Sequence, residues 1–188
     1  MKLFETIWSC KAVRACLLTV FLAGVAPAAT FATYALAASA NVPEQGARIG
    51  KSGLPLPRYV SLAKARVNLR KGPGLRYPID WVYKRSDLPV EIIAEFDTWR
   101  QIRDWEGTVG WVHGNMLQGK RSIMITERTR TLRQNPLEDA PALLHAEAGV
   151  VGRLIECASG WCRVEIAGTR GWLKSHDFFG AYPEEVVK

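Results

Sequence analysis

The sequence predicts an all-β chain, built as two small tandem barrels behind an N-terminal signal peptide. Three observations carry this expectation. The strings GTVGWVHGNML (Gly107–Leu117) and GTRGWLKSHDF (Gly168–Phe178) both read Gly-Thr-x-Gly-Trp-apolar, 61 residues apart. Short strand-like runs recur between turn residues, and no useful helical periodicity follows residue 40. The first 40 residues have a basic start, an uncharged apolar middle and a small-residue end.

Residues 1–40 come first. Lys2, Lys11 and Arg14 precede a stretch from Ala15 to Ala40 without any charge. Ala38-Ser39-Ala40 fits a small-x-small cleavage site before Asn41, which completes the three parts of a secretory signal. The apolar stretch exceeds the usual ~7–15 residues, so a retained membrane anchor is the alternative. Either outcome places the rest of the chain outside the cytoplasm. The chain is then periplasmic or secreted, or else anchored in the inner membrane facing the periplasm, and membrane contact is expected only in that last case.

The remaining 148 residues suit one domain or two small ones. They carry 22 Lys and Arg against 17 Asp and Glu, a diffuse excess of +5. Such a balance favours anionic envelope surfaces and gives no footprint for nucleic acid. Residues 41–59 hold Pro43, Pro55 and Pro57 with Gly46, Gly50 and Gly53, and read as a flexible lead-in. Within it, Leu54–Arg58 could serve as a stiff spacer or an extended docking peptide.

The duplication runs well beyond the two opening strings. Leu69-Arg70 matches Leu132-Arg133, Trp99 matches Trp161, and Gly110-Trp111 matches Gly171-Trp172. A near-constant offset over this length signals a repeated unit. The two copies are placed at 60–120 and 121–181, with a tail at 182–188. In each, a Trp-led strand follows a tight turn (Phe96-Asp97-Thr98, or Ala158-Ser159-Gly160). Short strands between Gly and Asp turns suit small antiparallel barrels. Ala140–Ala148 is the one stretch that suits a turn or two of helix.

These residues resemble the bacterial SH3-like domains. TWRQIRDWEGTVGWVHGNML resembles the SH3 pattern of a Trp-led strand, a tight turn and a Gly-aromatic-apolar strand. Gly110, Trp111, Val112, Asn115 and Leu117 fit it, and Trp99 stands at the ligand-stacking Trp of that family. ARVNLRKGPGLRYPI, Ala65–Ile79, resembles the bacterial opening strand and its Gly-Pro-Gly loop. His113 and Met116 replace the Pro and Tyr of the eukaryotic groove, so binding of Pro-rich ligands is not implied. The resemblance implies an SH3-like barrel in each copy. It also implies a binding module for peptidoglycan or another envelope component, with an envelope-protein scaffold as the alternative.

Six residues are the candidate ligand contacts, all in the first copy: Trp99, Trp105, Trp111, Arg70, Lys71 and Arg76. Aromatic rings give large contact area at low entropic cost. Arg66, Arg70, Lys71 and Arg76 surround the Gly-Pro-Gly loop and suit carboxylates or phosphates. In the second copy that loop loses its glycines and its lysine, so Trp161 and Trp172 read as structural. His113, His145 and His176 are scattered, and no nucleophile motif or metal-ligand spacing appears. The expectation is a non-enzyme without metal or cofactor.

Once residues 1–40 are set aside, Cys157 and Cys162 are the only cysteines left. An even count in an oxidising compartment points to a disulfide. Aligning Trp99 with Trp161 puts Cys157 over Glu95 and Cys162 over Arg100. One copy then places opposite charges where the other places two thiols, and both pairings suit cross-strand neighbours.

Overall fold

A computed structural model describes residues 48–188. The expected signal segment and the first part of the lead-in, residues 1–47, lie outside the described residues. The described chain opens with a small ribbon of β1 (Arg48–Ile49) and β2 (Pro55–Leu56). The first barrel uses β3 (Arg58–Leu62), β4 (Val67–Arg70), β5 (Ile79–Tyr83), β6 (Pro89–Phe96), β7 (Trp99–Arg103), β8 (Val109–His113) and β9 (Leu117–Gln118). The second uses β10 (Ser122–Ile125), β11 (Arg130–Arg133), β12 (Ala142–Ala146), β13 (Val151–Ala158), β14 (Trp161–Ile166), β15 (Thr169–Lys174) and β16 (Phe178–Phe179).

The all-β expectation holds, and the duplication extends to fine detail. The sheet orders are β5-β4-β8-β7-β6-β3-β9 and β12-β11-β15-β14-β13-β10-β16, the same path twice. Both copies shift register within the opening strand pair, at Leu69/Arg70 and at Leu132/Arg133. Both also shift within the central hairpin, at Ile92/Ala94 and at Leu154/Glu156. A bulge bends its strand and raises the local twist, which a small barrel needs in order to close. Alternation fills the two interiors: Val67, Leu69, Val90, Ile102 and Val112 in one, Ile123, Leu132, Val164 and Leu173 in the other.

The repeated Gly-Trp pair has a steric cause. Leu69 packs over Gly110 and Leu132 over Gly171, where a β-carbon would stand 2.5 Å and 2.7 Å from the respective leucine Cγ. The glycines let one strand cross close above another.

Three expectations are corrected. The lead-in is folded from Arg48 onward. Leu56 is buried in the first core, and Glu95 ties the ribbon down by accepting from the Ser52 amide at 2.8 Å and the Ser52 hydroxyl at 2.7 Å. Leu54–Arg58 is therefore not a free docking peptide. Second, Ala142–Ala146 is a strand paired with β11, because the sheet edge offers backbone partners that outweigh local helix propensity. Third, the tail is integral. Val187 exchanges both backbone hydrogen bonds with Cys157, and Arg121 donates to both carboxylate oxygens of Glu185 at 2.7 and 2.9 Å.

The expected cross-strand pairs are present. Cys157 lies opposite Cys162 and the two form a disulfide. Glu95 lies opposite Arg100 at the matching place, with Nε to carboxylate at 3.3 Å.

Glu95 makes the ribbon acid-sensitive. Burial pushes its carboxyl up, but the Ser52 amide, the Arg58 guanidinium, the Ser52 hydroxyl and the Arg100 charge outweigh that and hold it at about 2, below the ordinary 4.5. A depressed carboxylate pKa contributes stability that is complete above the ordinary value and is lost as pH falls through the folded one. The ribbon should therefore open between about pH 4.5 and 2. Amide hydrogen exchange at residues 48–58, taken relative to the intrinsic rate at each pH, should accelerate across that window in the wild type. In Glu95→Gln it should already be fast at pH 7, and equal protection in both proteins would contradict the assignment.

The two barrels meet along a mixed seam. Met124 of β10 enters the first core, and the Ser61 and Ser122 hydroxyls share a buried hydrogen bond of 2.6 Å. Tyr59 packs edge-on against Phe179 at 5.1 Å and in a tilted arrangement against Tyr182 at 4.7 Å. Burial and the neighbouring Glu91 carboxylate push the Tyr59 hydroxyl up to about 12, so it remains a neutral packing group.

Candidate ligand groove

The strands that carry the repeated tryptophans also build a groove. Trp99 opens β7 directly opposite His113 at the end of β8, with the rings edge-on at 5.4 Å. Arg66 and Asn68 approach from the start of β4, Leu75 from the loop that follows it, and Met116 from the short 3-10 turn after β8. The resulting groove measures about 240 Å³. It combines an apolar floor with two guanidinium groups, and no carboxylate among the described residues lines it.

The six sequence candidates fall into four places. Trp99 and Arg70 share the groove. Trp99 is 8% exposed, so it is wall as much as contact surface. Arg70 also holds structure together. One of its terminal nitrogens donates to the Leu75 carbonyl at 3.2 Å and to the Tyr77 carbonyl at 2.7 Å, which pins the Gly-Pro-Gly loop. Arg133 does the same in the second barrel, donating to the Ala140 carbonyl at 2.7 Å.

Lys71 and Arg76 lie on the outside of the loop. Lys71 pairs with Asp80 at 3.5 Å, and Arg76 lies over the Tyr77 ring at 5.1 Å. Trp111 is half-buried on β8 beside Arg70 of β4. Trp105 stands elsewhere, packed against the first core and 6.2 Å from the Tyr83 ring.

Trp105 lines a second, more apolar trough of about 680 Å³ with Ile79, Trp81 and Leu88. Trp81 is 57% exposed there. The turn that presents Trp105 is fixed by buried Asp104, which accepts the Tyr83 hydroxyl at 2.8 Å and the Thr108 amide at 2.8 Å. Burial and that hydrogen bond push the Tyr83 hydroxyl well above its ordinary range.

Asn68, Leu75, His113 and Met116 were missed as groove residues. His113 and Met116 were visible only as replacements of the eukaryotic groove Pro and Tyr, and Asn68 and Leu75 have no residue type that stands out alone. Arg66 was visible as part of the basic cluster; it lines the groove with Arg70, and neither has an ion-pair partner among the described residues.

A family model described as "Bacterial SH3 domain" matches residues 63–119 and again 127–177. Among solved structures, the chain is similar to NlpC1 from Trichomonas vaginalis, with 13% identity and a TM-score of 0.31 over 66% of this chain and 46% of that one. It is also similar to NlpC2 from the same organism, with 13% identity and a TM-score of 0.32 over 67% and 49%. The chain thus spans about half the length of each of those proteins. No curated protein matches it.

Proposed function

We propose that this chain, which belongs to the bacterial SH3 domain family, is an exported, non-catalytic module that captures cell-wall peptide or glycan in the groove of its first barrel. Domains of this family typically bind cell-wall components or proteins. The observation that carries the reading is the groove itself. Arg66 and Arg70 are not neutralised there by any lining carboxylate of the described residues, and Trp99, Leu75 and Met116 offer an apolar floor. A peptide bearing a carboxylate beside small apolar side chains matches that surface, through charge-assisted hydrogen bonds at one end and burial at the other.

Export rests on the expected signal segment and agrees with the disulfide, a bond that persists in oxidising compartments. Protein recovered from the periplasm should have an intact mass beginning at Asn41. A full-length, membrane-bound species would support the retained anchor instead.

Co-sedimentation with purified peptidoglycan tests the binding. Arg66 is exposed, so Arg66→Glu leaves the fold intact while reversing the charge at the groove mouth. Capture should weaken by about tenfold, the equivalent of ~1.4 kcal/mol. Unchanged capture by this variant, or no capture by the wild type, would refute the reading. The rival reading, a scaffold for another envelope protein, is favoured by the trough at Ile79, Trp81 and Trp105, since exposed aromatic surface marks many protein interfaces.

A further inference from the structure

The second barrel carries a groove at the matching position, with different chemistry. Trp161 stands where Trp99 stands, Lys174 where His113 stands, and Glu138 where Leu75 stands. Trp161 and Lys174 face each other across β14 and β15 just as Trp99 and His113 do across β7 and β8. This groove is wider, about 420 Å³. Among its basic residues, Arg133 stands where Arg70 stands, Arg128 and Arg130 precede and open β11, and Lys174 closes β15.

The cations differ in how they are engaged. Arg130 is committed to Asp177 at 2.7 Å, and Arg133 holds its own loop. Lys174 lies 5.7 Å over the Trp161 ring and is paired with Glu138, which reaches it from the loop between β11 and β12. The Glu138 side chain is 78% exposed. Arg128 lines the same groove and has no ion-pair partner among the described residues. An ammonium beside an aromatic face is thus occupied by a carboxylate of the chain itself, on a rim where an ion pair contributes little.

We infer that the second groove is a carboxylate-binding site and that Glu138 is its built-in occupant. An incoming carboxylate takes the place of Glu138 on Lys174, gains Arg128 as a second cation, and lays an adjoining apolar group on Trp161. Two lining carboxylates among four lining Arg and Lys side chains leave a modest positive excess, which suits a monoanion better than a phosphate dianion. The inference does not depend on the first groove, because the two sites share no residue.

The test uses the full chain with acetyl-alanyl-alanine bearing a free carboxylate, its C-terminal amide, and inorganic phosphate. Binding is followed at the Trp161 indole resonance, which reads the second groove alone. The free-acid peptide should shift that resonance and the amide should not. Glu138→Gln removes the internal competitor at an exposed position and should tighten binding by about two- to fivefold. Lys174→Met should weaken it by about tenfold or more. Equal response to the amide, no gain of affinity in Glu138→Gln, or tighter binding of phosphate than of the peptide would each overturn the assignment.

Discussion

Gly171→Ala should unfold the second barrel at a denaturant concentration where the wild type is fully folded. A β-carbon at Gly171 would stand 2.7 Å from the Arg133 carbonyl oxygen and 2.7 Å from Leu132 Cγ. Neither neighbour can give way cheaply. The carbonyl belongs to the backbone of β11, whose pairing with β15 is the single register point Arg133 to Trp172, and Leu132 is fully buried. Overpacking a core costs ~1–3 kcal/mol, and a backbone clash puts this site at the upper end, about 3 kcal/mol. At Gly110 the three nearest atoms all belong to the Leu69 side chain, so Gly110→Ala should cost less, about 2 kcal/mol. Equilibrium denaturation of both variants checks the order. A loss at Gly171 below about 0.5 kcal/mol, the range of ordinary surface substitutions, would contradict the packing argument.

Glu91→Ala should have a comparable effect by another route. Glu91 is a buried carboxylate in β6 that accepts from Arg103 at 2.9 and 2.6 Å and from the Tyr182 hydroxyl at 2.8 Å. Tyr182 lies beyond β16, so this contact ties the end of the chain to the first barrel. Burial and the bond to Glu91 push the Tyr182 hydroxyl well above its ordinary range, which keeps it a donor at every physiological pH. Removing the carboxylate strands the tyrosine donor, although half-exposed Arg103 can turn to water. The expected cost is about 3 kcal/mol, with a coupling of about 1–2 kcal/mol to Tyr182→Phe in a double-mutant cycle. Thermal unfolding of Glu91→Ala should split into two transitions as the barrels separate. Additive losses and a single transition would show that the contact does not couple them.

Much of this architecture was legible in the sequence because the chain says it twice. The near-constant offset between Leu69-Arg70, Trp99 and Gly110-Trp111 and their partners marked both copies, and the hairpin alignment placed Cys157 opposite Cys162. What escaped was decided by contacts distant in sequence. Nothing local in Arg48–Leu56 announces a strand pair, since its order depends on Glu95, about 40 residues away. Ala142–Ala146 has helix-forming residues and becomes a strand because β11 offers an edge.

The groove was half legible, for a related reason. Trp99 and Arg70 stood out by residue type, whereas Leu75, His113 and Met116 matter only through where the turns bring them. Lys71 and Arg76 illustrate the converse, since a charge cluster in sequence need not point one way in space. In the second copy the Gly-Pro-Gly loop is altered, and that alteration hid the cations that Arg128, Arg130 and Lys174 supply from other strands.

The most direct measurement is a heteronuclear NMR titration of residues 41–188 with soluble peptidoglycan fragments. The account predicts the largest shifts at Arg66, Trp99 and Met116, the walls of the first groove. Shifts confined to Ile79, Trp81 and Trp105, or none at the groove at saturating fragment, would contradict it.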